Sequence, residues 1–217
     1  MQEKLNAKQA QLESLQAQVN PHFLYNTLDC INWKAMTNGQ VEISEMIQSL
    51  SQMFRFSLGN GEDDVTLLRE VDNVRNYLML QKKRYEERLV YLIDIPDSVM
   101  NYQVMKFLLQ PLVENSILHG IGPKDTKGYV SITAEETEGL LCISIIDNGV
   151  GVDREQIAAI LSGDTYESRR KRKRHGIYIV NERLKMRYGE ESTLHFSNRP
   201  GGGTKVWVKI AVDRLKG

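Results

Sequence analysis

The sequence has almost no cysteine. Two stand among 217 residues, Cys30 and Cys142, in unrelated contexts and without Cys-x-x-Cys or Cys/His ligand spacing. That excludes a finger- or ribbon-type zinc site and a disulfide framework, and it fits two reduced thiols in a cytoplasmic protein. No apolar run approaches the ~18–20 residues needed to cross a bilayer. The opening MQEKLNAKQAQLESLQAQ is polar and lacks the apolar core of a signal peptide. Net charge is missing too, with 28 Lys+Arg against 28 Asp+Glu. The balance hides a segregation. Residues 169–174 read RRKRKR, and without those six charges 22 basic residues face 28 acidic ones. The body is therefore acidic and unsuited to general nucleic-acid binding. A run of like charge is usually a solvated segment, but this one lies between two motifs described below.

What is present divides the chain in two. Through residue 86 the apolar spacing is helical. Leu5, Leu12, Val19 and Asn26 are seven apart, and Leu15 and His22 repeat the step three residues on, which is heptad spacing interrupted by Lys8 at a seam position. A second helix fits Ile43, Ile47, Leu50 and Phe54, between Gly39 and the pair Gly59 and Gly61. A third fits Val71, Val74, Leu78 and Tyr85. A lone hairpin of this size buries too little apolar surface to stand by itself, so pairing with a second copy into a four-helix bundle is expected. From residue 87 the period changes. Strands are expected over 89–95, 129–135, 140–147, 192–197 and 204–212, with helices over about 101–119, 153–161 and 177–188. Glu138-Gly139 and Pro200-Gly201-Gly202-Gly203 read as turns of hairpins. The expected fold is α+β: a dimerising helical hairpin over 1–86, then a two-layer α/β sandwich over 87–217.

Two sets of residues carry chemistry. In LQAQVNPHFLYNTLDCINW, Pro21 either kinks a helix or opens a new one capped by Asn20, and His22 follows directly. A histidine in a helix turn is most often just satisfied by a neighbour. A neutral imidazole is also a nucleophile that can accept a phosphoryl group. Asn26, four residues on, shares its face and is suited to placing a water for removal of that group. In the second half, LLQPLVENSILHG carries Glu114, Asn115 and His119. Asn115 and His119 are four apart, and an asparagine carbonyl is a hard ligand suited to Mg²⁺ that bridges phosphates. Glu114 is a candidate base or a member of the metal's outer shell. Asp147 ends the run IIDNGVGV, where a carboxylate can accept from an exocyclic amine such as that of adenine. Gly149 and Gly151 permit close backbone approach and positive φ. Gly176 precedes a helix and suits phosphate against helical N–H groups. The basic residues before it, ending at Arg174, suit neutralisation of a triphosphate. Thr204 follows three glycines and offers a hydroxyl near the base.

In order and spacing these segments resemble the sensor histidine kinases of the LytS/YesM-like group. NPHFLYNTL is similar to its phosphoacceptor box, QPLVENSILHG to its N box, and DNGVGV, HGIYIVNERLKMRYG and GGGTKVWV to its glycine boxes. LSQMFRFSL and YLMLQKKRYEERLVYLIDIP resemble its connecting helices, so the likeness spans nearly the whole chain. It implies an ATP-binding domain of the gyrase, chaperone and mismatch-repair (GHKL) type. It implies MgATP-dependent autophosphorylation of His22 and transfer to an aspartate on a response-regulator receiver domain. Segment 152–175 becomes the ATP lid, and the loop near 59–66 becomes a hinge. The likeness also implies a sensor region with membrane spans ahead of the first box, so the expected setting is the cytoplasmic portion of a bacterial membrane sensor. Four positions depart from the pattern: Arg174 stands where a first glycine is usual, Ile179 where asparagine is common, Leu118 where lysine is frequent, and Phe23 where other histidine kinases carry an acid. The first three define one alternative, a catalytically degraded dimeric scaffold that binds nucleotide; another is an ATPase of the same sandwich class without a phosphohistidine.

Overall fold

The computed structural model of the protein describes residues 21–59, 62–162 and 175–215. The seam positions before residue 21, the capping role of Asn20, and Arg174 with the basic run lie outside the described residues. The chain divides into two compact units, residues 1–60 and 61–217.

The first unit is a helical hairpin of α1 (Pro21–Thr37) and α2 (Val41–Leu58). Pro21 is the first described residue of α1. The turn is a Schellman motif: Gly39 takes φ 68, the Gln40 N–H reaches the Ala35 carbonyl at 2.9 Å, and the Gly39 N–H reaches Met36 at 3.0 Å. The helices meet through small side chains. Ser44, Ser49 and Ser51 of α2 are buried, and the Ser44 hydroxyl donates to Asn32 Oδ1 at 2.6 Å. The Arg55 guanidinium lies over the Tyr25 ring. The apolar stripe read from the sequence is only partly covered. Ile47, Leu50 and Phe54 are half-buried and Ile43 is exposed, as are Phe23 (69%) and Trp33 (66%).

The second unit opens with β1 (Asp64–Thr66) and α3 (Leu67–Tyr85), whose first turn is capped when Thr66 Oγ1 accepts from the Arg69 N–H. There follow β2 (Leu89–Asp94), β3 (Gln103–Met105) and α4 (Gln110–Asn115), which continues as a π-helix over Ser116–Ile121. Then come β4 (Gly128–Thr137), β5 (Leu140–Asp147), α5 (Arg154–Ser162), α6 (His175–Tyr188), β6 (His195–Asn198) and β7 (Thr204–Ala211). Five strands form one sheet in the order β2-β4-β5-β7-β6, antiparallel except for β2 beside β4. Glu138 (φ 54) and Gly139 (φ 75) close the β4–β5 hairpin in the doubly positive turn that suits strand twist. Alternate residues such as Ile132, Ile143 and Val208 point inward, where α3 contributes Val74 and Leu78, α4 Leu112 and Val113, and α6 Val180 and Leu184. This is the expected mixed α/β architecture behind a helical hairpin.

Two local expectations are corrected. Residues 101–119 do not form one helix, because Gln103–Met105 pairs antiparallel with Asp64–Thr66 and helix starts only at Gln110, with Pro111 in its first turn. The same pairing makes Asp64–Thr66 a strand rather than part of a loop. The division between the compact units falls between residues 60 and 61, ahead of α3. α3 belongs with the sandwich by its packing, since its Glu70 carboxylate accepts the N–H groups of Phe107 (2.6 Å) and Leu109 (2.8 Å).

Candidate functional site

A cavity of about 600 Å³ opens between the π-helical end of α4, the loop after β5 and the ends of β6 and β7. Its polar wall includes Asn115, His119, Asp147, Asn198 and Thr204. The sequence placed four of these on three motifs; the fold brings them together. The π-helix is the local reason on the α4 side. The Gly122 N–H reaches back five residues to the Ile117 carbonyl at 2.7 Å, and the widened turn carries His119 and Gly120 against the strand ends.

Asp147 is the centre of the site and is 3% exposed. Its Oδ1 accepts the N–H groups of Gly149 (2.8 Å) and Thr204 (3.1 Å). Oδ2 has no protein donor among the described residues. A buried carboxylate needs such donors to remain tolerable, and two backbone amides supply them while leaving one oxygen available to a ligand.

The loop beyond Asp147 is fastened along its length. Lys124 Nζ donates to the Asn148 carbonyl at 2.6 Å, and the Val150 N–H donates to the Gly120 carbonyl at 3.0 Å. Asn198 then takes Val152 at both backbone groups, accepting from N–H at 2.9 Å and donating to C=O at 2.7 Å. Three glycines make the approach possible. A Cβ on Gly149 would fall 2.3 Å from the Gly120 backbone, one on Gly203 2.0 Å from the Asp147 carbonyl oxygen, and one on Gly120 3.1 Å from Asp147 Oδ1. Gly151 has φ 81 and lines the cavity.

Other expected residues lie elsewhere. Gly176 is the second residue of α6 and faces Pro111 rather than the cavity. Glu114 turns toward α3: its Oε1 accepts from Gln110 Nε2 at 2.7 Å, and Gln110 Oε1 accepts from Asn73 at 2.6 Å. Neither is among the cavity-lining residues. In the first unit His22 is exposed in the first turn of α1, and the Asn26 amide nitrogen lies 3.2 Å from its Nδ1. Residues that sequence reasoning missed are Gly120, Gly203 and Asn198. The two glycines stand inside quoted motifs without a stated role. Asn198, at the end of a short strand, carries no spacing signal.

Residues 10–89 match the family model described as histidine kinase, and residues 101–214 match that of the histidine kinase-, DNA gyrase B- and HSP90-like ATPases. The chain therefore belongs to the histidine kinases, with an ATPase domain of that shared type. It is similar to sensor histidine kinase YesM of Bacillus subtilis, 38% identical over 97% of this chain and 35% of the relative. Sensor protein LytS of Oceanobacillus iheyensis is 31% identical over 93% of this chain and 34% of the relative. The chain spans about a third of the length of these relatives. Among solved structures, the histidine kinase domain of the Erythrobacter litoralis blue-light activated kinase has a similar fold, with a TM-score of 0.51 and 14% identity over 98% of this chain and 96% of that one. No helix among the described residues is long and apolar enough to cross a membrane.

Proposed function

We propose that the chain binds MgATP in the cavity around Asp147 and passes the γ-phosphoryl group to His22, as the catalytic portion of a two-component sensor kinase. The observation that carries this reading is Asp147 itself: Oδ1 is saturated by two backbone N–H groups, and Oδ2 is left to accept from an exocyclic amine such as that of adenine.

Asn115 lines the same cavity and fits a magnesium ion. No cluster of three or more His, Cys, Asp or Glu side chains suited to a metal occurs among the described residues. Magnesium keeps several waters and takes ligands from phosphates, so an oxygen from Asn115 would complete its shell without a closed protein cage. When bound, the ion neutralises phosphate charge. This chain's residues do the rest by position. Asp147 orients the base, the fastened loop from Asn148 to Val152 offers a rigid wall, and Thr204 and His119 flank the nucleotide.

At His22 a bond forms between a ring nitrogen and the γ-phosphorus while the bond to the β-phosphate oxygen breaks, releasing ADP. Asn26 addresses Nδ1, and with its amide turned to present Oδ1 it accepts from Nδ1–H and leaves the lone pair on Nε2. The phosphoryl group then passes to an aspartate of a receiver domain, and Asn26 is also placed to direct a water in the reverse, phosphatase sense. The half-covered apolar stripe of the hairpin supports assembly with a second copy. The greater length of the relatives leaves room for the sensor region with membrane spans that the family resemblance implies.

The test is γ-labelled ATP. Acid-labile label on the wild-type chain, absent from His22→Gln, is expected. Label retained in that variant rejects the role of His22, and ADP binding without label on the wild type favours the scaffold reading.

A further inference from the structure

The cavity wall is held from behind by a helix that does not reach it. α3 grips α4 at two points. Glu70, buried and wholly inaccessible, accepts the N–H of Phe107 in the bend before α4 and that of Leu109, its N-cap, which no helical carbonyl can satisfy. One turn along, Asn73 donates to Gln110, which in turn holds Glu114. Phe107 needs such a grip. It has φ 61 without being glycine, a conformation that persists only where surrounding bonds enforce it. α4 is short, and its last α-helical residue is Asn115, whose side chain lines the cavity with Asp147. Displacement at the first residues of α4 therefore moves Asn115.

We infer that Glu70 is a positioning residue of the nucleotide site: its carboxylate, by fixing the Phe107–Leu109 backbone, sets Asn115 against the ligand that Asp147 holds. The inference rests on the nucleotide-binding reading above and deepens it.

A carboxylate is an odd choice for a purely structural clasp. Burial raises its pKa to about 7, against the lowering pull of the Leu109, Phe107 and Leu108 N–H groups and of the Arg183 charge from α6. Lys106, beside the clasp and over the Phe107 ring, is the other charge facing it, and burial lowers its own pKa. Only the ionised form offers two acceptor oxygens to two donors. Once protonated, one oxygen carries a hydrogen and the second N–H loses part of its acceptor. Glu70→Gln copies that protonated state without altering shape.

The experiment measures ADP binding to the full chain at pH 6 and pH 8, for wild type and Glu70→Gln, with circular dichroism as the check on folding. At pH 8 the variant is expected to bind about tenfold more weakly, the value of one hydrogen bond to a charged acceptor. Its affinity is expected to change less between the two pH values than that of the wild type. Imidazoles and phosphates titrate in the same range, so the difference between the proteins carries the result. A folded variant with wild-type affinity and pH profile overturns the positioning role and leaves the nucleotide reading intact. A wild-type chain that does not bind ADP overturns both. Should the variant not fold, NMR of the wild type decides: the Phe107 and Leu109 amide protons and the Asn115 side-chain amide are expected to titrate together near pH 7. Titration of the first two without Asn115, or of none of them, overturns the inference.

Discussion

Asn198 clasps Val152 as one strand clasps another, engaging its N–H and its C=O with a single carboxamide. The contact joins residues 46 apart in sequence and ties the end of β6 to the loop that walls the cavity. Asn198→Ala is expected to weaken ADP binding about tenfold, the value of the hydrogen bonds that preorganise the loop, with little change in melting temperature. Asn198→Asp keeps the acceptor for the Val152 N–H but sets an anion against the Val152 carbonyl, so it should not rescue. Isothermal titration beside a melting curve checks both.

Gly203 and Gly201 separate close approach from backbone strain. Both have positive φ, 98 and 87, but a Cβ on Gly203 meets the Asp147 carbonyl at 2.0 Å while one on Gly201 meets nothing within 4 Å. Gly203→Ala is expected to cost about 3 kcal/mol or more, and Gly201→Ala about 1 kcal/mol. Equal costs in urea unfolding would show that the turn, and not the Asp147 backbone, sets the requirement.

Asp147→Asn tests the base. The amide oxygen can still accept from the Gly149 and Thr204 N–H groups, while Oδ2 becomes a donor. Affinity for ATP is expected to fall at least about tenfold, with GTP, which presents an acceptor at the matching position, losing less. A competition assay between the two nucleotides reads the ratio.

Ile43 is exposed on α2 at the edge of its half-covered stripe. If the proposed second copy packs on this stripe, the wild type sediments as a dimer and Ile43→Lys as a monomer with the melting of the sandwich unaltered, because an unpaired ammonium is excluded from an apolar interface; a wild type that sediments as a monomer rejects the pairing.

The buried carboxyl of Glu70 makes stability fall as pH rises. The unfolded chain releases this proton near pH 4.5, whereas the folded chain keeps it to about 7. The contribution is complete below about 4.5 and is lost through about 7, a total of about 3 kcal/mol. Glu70→Gln should flatten that part of a pH series of urea midpoints. The ionised form that serves the nucleotide site is thus the form that costs the fold most.

Much of this was legible from residues alone. Strands such as Leu140–Asp147 announce themselves by alternation, the Glu138-Gly139 turn by its residues, and Asp147 and Asn115 by their motifs. β3 was not legible, because three residues leading into an apolar helical stretch read as its first turn, and only pairing with Asp64–Thr66 made them a strand. The grouping of α3 was hidden for a like reason. Its amphipathic face suits either a bundle or a sandwich, and the choice falls to Glu70, whose donors lie 37 and 39 residues away. Asn198 was invisible since nothing in its neighbourhood says that its partner is Val152.

The glycine turn at residues 38–40 also determines how force can travel through α1. With Gln40 locked onto Ala35 and Gly39 onto Met36, that end of the hairpin is a fixed pivot. His22 sits at the far end of α1, about 24 Å away at 1.5 Å per residue. Any swing or rotation of α1 about that pivot carries the ring of His22, the proposed phosphate acceptor, farther than the residues nearer the turn.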